Sequence, residues 1–235
     1  MNNILAALFS LLCCFCAVFA QETYQEKTET YTYITLQPVE SEYYANMKQG
    51  ISIMDKAMDL AQLEQAANFF TEISNEQPKE WLPPYYAAYS FATMCFLEKD
   101  RIKKDQYLDK AQTYIDRAFT VQPGNPEIMV LQAYIYQQRV EVDPANRTED
   151  YGTLVQVAME DAKKLDPDNP RLHFLIAQTT FFAPESLGGG IAKACPLVKT
   201  AMQKYAENKP LMDIAPKWGE ALTNYMNTIC ESVNR

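Results

Sequence analysis

The sequence predicts an all-α chain of stacked helix-turn-helix units, and three observations carry that prediction. From residue 40 onward apolar residues recur at three- and four-residue spacing, which is the period of one helix face. Glycine is scarce, at 7 of 235 residues, which argues against the many turns of a sandwich. The third observation is a packing code that repeats. Ala66, Phe70, Ile73 and Pro78 are spaced four, three and five apart, and Ala111, Ile115, Ala118 and Pro123 repeat that spacing. Val155, Met159, Ala162 and Pro167 repeat it again, and Ala194, Val198 and Ala201 begin it a fourth time without the proline. A small residue at the first and third positions lets a neighbouring helix approach closely, the larger side chain between them fills the gap, and proline ends the helix. Such a unit cannot bury its apolar face alone, so neighbouring units must stack.

In chain order, residues 1–20, "MNNILAALFSLLCCFCAVFA", form an uncharged apolar run with small residues near its end, the pattern of an export signal cleaved before Gln21. Leu12 and Cys13 precede Cys14, and Phe15 precedes Cys16, so the small residue needed before a lipidated cysteine is missing. The chain is therefore expected to be exported, to the periplasm or otherwise to the cell envelope, without a lipid anchor. Residues 21–39 alternate Thr and Tyr before Pro38 and read either as an extended arm or as a disordered linker. The helical domain is expected over 40–235. Its helices are predicted at 40–60, 62–75, 80–98, 104–120, 126–139, 149–165, 170–182, 190–207 and 214–233. The links "QPGNPE" at 122–127 and "DPDNPR" at 166–171 each stop one helix and preset the first turn of the next with a second proline.

The run Gly188-Gly189-Gly190 precedes a helical stretch, as a phosphate loop does. A Walker-type loop requires Lys and Ser or Thr directly after its last glycine, whereas Ile191 and Ala192 follow here, so the run reads as a turn. His173 is the single histidine, and no HExxH, no GxSxG and, after residue 20, no CxxC is present. His173 is expected to be a packed, hydrogen-bonded core residue, and the chain is expected to be neither an enzyme nor a cofactor or metal protein. Cys95, Cys195 and Cys230 are the cysteines after residue 20, and they are read as buried small hydrophobes in preference to a Cys195–Cys230 bridge. The formal net charge of −9 argues against nucleic acid and anionic membrane surfaces as partners, leaving membrane contact only through other proteins.

The repeated code resembles the tetratricopeptide repeat family, whose unit is about 34 residues with small residues at two packing positions and a terminal proline. Trp218, Ala221, Leu222 and Tyr225 stand at the spacing of that family's first-helix signature and look like a closing helix. The resemblance implies a right-handed α-solenoid of about four helix-turn-helix repeats plus a C-terminal capping helix. Here the repeats step by 45, 44 and 39 residues, so the surplus is expected between the two helices of each repeat, as inserted turns at 97–106, 139–152 and 182–190 along one edge or, in part, as longer helices.

In that family the first helix of each repeat lines a concave groove. The positions that match place Tyr85, Tyr89, Tyr134, Gln137, Arg171, Gln178 and Phe181 there as candidate binding residues. The Lys and Asn clamp by which some members grip a peptide carboxylate is absent, since Ile51, Tyr85, Asp55 and Tyr89 occupy its positions. The resemblance thus implies an exported, non-enzymatic scaffold or adaptor that binds a protein or peptide through this groove. The alternative is a solute-binding accessory of a membrane transporter, holding a small molecule against the same tyrosines.

Overall fold

In the computed structural model, residues 41–233 are described; the expected export signal and the 21–39 arm lie outside them. The described residues form nine α-helices and no strand. They are α1 (Glu42–Asp55), α2 (Leu60–Glu76), α3 (Leu82–Leu97), α4 (Arg101–Val121), α5 (Pro126–Val142), α6 (Pro144–Leu165), α7 (Pro170–Phe182), α8 (Ile191–Glu207) and α9 (Glu220–Val233).

The proline links work as their residues dictate. Asn125 and Asn169 cap α5 and α7 by accepting hydrogen bonds from the backbone N–H groups of Glu127 and of Arg171 and Leu172. Pro126 and Pro170 then occupy the first helical positions, where a missing N–H costs nothing. Asp59 and Asp100 cap α2 and α4 in the same way.

Each helix packs against the next in the chain, and α1, α3, α5 and α7 also touch in succession, whereas α2, α4 and α6 are linked only by side chains, Arg117 of α4 reaching Ser74 and Asn75 of α2 and Arg147 of α6 reaching Asp105 of α4. The result is a repeat-like, two-layer arrangement, with odd-numbered helices inside and even-numbered helices outside. The packing code sits between the layers. Ala66, Phe70, Ala111, Ile115, Ala118, Ala162, Ala194, Val198 and Ala201 are all fully shielded from solvent. Burial of this set, at roughly 1.5–3 kcal/mol for each large side chain, is what holds the layers together.

The expected inserted turns are mostly absorbed into helix. Residues 98–100 are all that separate α3 from α4, and Asp143 alone separates α5 from α6. Long helices of 21 residues (α4) and 22 residues (α6) take up the surplus, because 101–106 and 144–152 continue the α pattern once capped. Only 183–190 remains a turn, and it contains the glycine run. Gly188 and Gly190 adopt positive φ (+87° and +106°), and a Cβ on Gly189 would collide with the backbone of Ala183, so the three glycines serve chain reversal.

Two cysteine expectations separate. Cys95 is buried and free, and burial pushes its thiol up to about 11. Cys195 and Cys230, by contrast, form a disulfide between α8 and α9. The sequence pattern favoured two unlinked hydrophobes; packing α9 beside α8 brings the two Cα atoms to 5.5 Å, within the range of about 4.4–6.8 Å that a bridge needs. His173 is likewise only half-buried rather than in the core, with its Nε2 2.9 Å from the Pro167 carbonyl oxygen.

Candidate ligand-binding site

The outward face of the inner layer is crossed by a segment of the chain's own C-terminal region. The closing helix was expected from residue 214, but α9 begins at Glu220, and residues 208–219 run instead as an irregular strap. Proline at 210 and 216 disfavours helix, and Ile214, Pro216 and Trp218 are buried while Asp213 and Lys217 are exposed, the alternation of an extended segment. The carbonyls of Ile214, Pro216 and Trp218 are each held by a side chain of the helices. Tyr86 Oη donates to the Ile214 carbonyl oxygen at 2.9 Å, Arg171 Nη1 to that of Pro216 at 2.7 Å, and Tyr205 Oη to that of Trp218 at 2.7 Å. Near α1, the Asp213 N–H donates to Tyr44 Oη at 3.2 Å, and Lys48 Nζ lies 3.7 Å from the Asp213 carboxylate.

Trp218 is the centre of the site. Its ring stacks on Tyr89 at a centroid distance of 5.2 Å, lies 5.5 Å from Tyr134 and meets the edge of Phe174 at 6.0 Å. Its indole N–H donates to Tyr85 Oη at 2.7 Å. Gly219, at φ +93°, makes the turn into α9 possible, and any side chain there would run into the Phe174 ring and the Tyr205 hydroxyl.

Four of the seven candidate residues are therefore brought together: Tyr85, Tyr89 and Tyr134 around Trp218, and Arg171 beneath the strap. Arg171 is 4% exposed and pairs through Nε and Nη2 with both carboxylate oxygens of Glu127. Burial pulls the guanidinium pKa down, and the hydrogen bonds and charge of Glu127 more than reverse this, so Arg171 stays charged. Burial raises the phenols of Tyr85 and Tyr134 well above their usual range and pushes Tyr89 up to about 12, so all three remain neutral hydrogen-bonding groups. The other three lie further along the inner layer. Gln137 donates to the Thr179 hydroxyl, Gln178 has a buried side-chain oxygen without a protein partner, and Phe181 is buried edge-on to Phe182 at 5.1 Å.

Between α1, α3 and the strap a pocket of about 350 Å³ remains open. Ile51, Met54, Ala57, Leu63 and Ala215 supply apolar wall, Tyr86, Tyr89 and Trp218 aromatic surface, and Thr93 a hydroxyl. Asp55 and Lys217 are its charged members. The sequence reading placed Tyr89 on this face but missed Trp218 and Lys217, which it assigned to a helix; the alternation over 213–218 and Pro216 were the available signals.

No family model matches the chain, and no curated protein matches it. Among solved structures it is similar to the HusA haemophore from Porphyromonas gingivalis, with 25% identity and a TM-score of 0.73 over 83% of this chain and 96% of that one. That protein is named as a haemophore. No helix among the described residues is long and apolar enough to cross a membrane.

Proposed function

We propose that this chain is a non-enzymatic, exported binding protein for a planar tetrapyrrole of the haem class, acting outside the cytoplasm in the cell envelope or beyond it. The likeness to a haemophore over most of both chains is the observation that carries this reading. The pocket supports it chemically: a planar apolar ring is matched by the faces of Tyr86, Tyr89 and Trp218, with aliphatic wall around them. Its volume of about 350 Å³ is near the lower end of small-molecule sites, roughly 300–1,000 Å³, so it takes one edge of a macrocycle with the rest held at the mouth.

The architecture we infer behind it is the right-handed α-solenoid of about four repeats suggested by the packing code. A peptide-binding scaffold is the weaker reading, because the inner face on which a peptide would lie is covered by residues 208–219. The test is titration of the purified chain with haem, followed by the haem absorption band and by tryptophan fluorescence. Saturable binding that is weakened about tenfold or more by Tyr89→Ala is expected, on the scale of one lost aromatic anchor. Absence of saturable binding would remove the proposal.

A further inference from the structure

The two charged residues that line the pocket, Asp55 and Lys217, are of opposite sign and both are exposed. Lys217 belongs to the strap and is fixed by its neighbours: the carbonyl before it is held by Arg171 and the carbonyl after it by Tyr205, each at 2.7 Å. Its backbone is thus anchored on both sides while its side chain is exposed, so the ammonium extends from a fixed base. Asp55 is the last residue of α1, where the helix dipole is negative and a carboxylate is disfavoured. Packing around the Asp55 carboxyl raises its pKa, and the charge of Lys217 partly offsets the rise. Neither position favours a stabilising charge, and on a surface of formal net charge −9 an ammonium at the edge of an aromatic pocket marks a place for an anion.

Building on the haem-class reading, we propose that Lys217 is the counter-ion for a carboxylate carried on the ligand's aromatic ring, and that Asp55 competes with that carboxylate for the same ammonium. The pocket then selects planar aromatic acids over their neutral esters. The ring packs against the side of the Tyr89–Trp218 stack that faces the pocket, with Tyr86 beside it, its acidic substituent stays toward solvent, and Lys217 closes over it. Asp55 makes no ion pair with Lys217 and acts on it only through its charge, so the ammonium is open to the ligand's carboxylate.

The experiment is a pair of titrations of the full chain, one with haem and one with haem dimethyl ester, in which the carboxylates are masked, repeated for Lys217→Met and Asp55→Asn. Both substitutions are at exposed positions, and thermal melting confirms that each variant folds. Wild type is expected to bind the free acid about tenfold more tightly than the diester. Lys217→Met should weaken the acid about fivefold and leave the diester unchanged, and Asp55→Asn should tighten the acid by a similar factor. Equal binding of acid and diester by wild type overturns the counter-ion assignment while leaving haem binding intact. Equal loss of both ligands in Lys217→Met makes the side chain merely part of the wall and overturns it too. Weaker binding in Asp55→Asn with tighter binding in Lys217→Met reverses the assignment and gives the pocket to a cation. Failure of either ligand to bind wild type removes the haem-class reading itself, and the proposal with it.

Discussion

Trp218 lies against Tyr89 with ring centroids 5.2 Å apart and planes inclined by 19°, so residues 129 positions apart in sequence share one stacked contact at the centre of the inner face. The indole also donates to Tyr85 Oη, which ties its orientation as well as its position. The aromatic surface that the repeat pattern offers to a ligand is therefore in part filled by the protein itself.

Replacing that indole separates packing from hydrogen bonding. Trp218→Ala removes the stack and opens a cavity under the strap, and a loss of about 3–5 kcal/mol is expected in urea unfolding. Trp218→Phe keeps most of the ring and loses the N–H, with an expected cost of about 1–2 kcal/mol. Equal costs for the two would mean that the ring's shape is irrelevant.

Arg171 and Glu127 form a buried pair that also carries the Pro216 carbonyl. Glu127→Ala leaves the guanidinium enclosed without its counter-charge, and about 3–5 kcal/mol of stability should be lost. The double change Arg171→Met with Glu127→Leu should cost clearly less than the sum of the single changes, which a double-mutant cycle on unfolding free energies measures.

The Cys195–Cys230 bridge closes a loop of 35 residues that includes the whole strap. On the chain-entropy estimate its reduction should cost about 3–4 kcal/mol. Melting with and without reductant checks this, and Trp218 fluorescence should report loosening of the strap before global unfolding. Alkylation of the native chain should leave Cys95 slow, since burial pushes its thiol up to about 11.

Acid sensitivity should concentrate at Asp105. Arg147 donates to both of its oxygens, at 2.7 and 2.8 Å, and these bonds, against a smaller opposing effect of burial, hold the carboxyl below its usual range. A depressed folded-state pKa contributes stability that is present above the unfolded value and is lost as pH falls through the folded one. Asp105→Asn should therefore lower stability at neutral pH and flatten the acid limb of a stability-versus-pH curve. An unchanged acid limb would assign the pH response to other carboxylates.

Much of the fold was legible because its packing is local. The residues that let α2, α4, α6 and α8 lie against the inner helices recur at fixed spacing, and Ala66, Ala111, Ala162 and Ala194 are all fully buried as that spacing requires. Asn125-Pro126 and Asn169-Pro170 marked helix starts to the residue. The site was legible only by halves. Tyr85, Tyr89 and Tyr134 follow from helical register, whereas Trp218 reaches them from the far end of the chain, and periodicity within a window carries no information about such a partner. The same limit applies to the disulfide, which depends on how α9 settles beside α8. The surplus within the repeats went mostly into longer helices rather than inserted turns for a local reason: the residues between the two helices of a repeat are themselves good helix formers once Asp100 and Pro144 start them.

A stack of helical pairs that touch only their neighbours can lose repeats from either end one at a time. The strap changes that thermodynamics. Through Tyr44, Tyr86, Tyr85 and Arg171 it fastens residues 213–218 to the first, second and last inner-layer pairs at once. Fraying at one terminus must then break contacts with the other, so melting is expected as a single concerted event. During synthesis the inner surface stays unfinished until residues 208–219 have left the ribosome, and completion of the binding site waits on them.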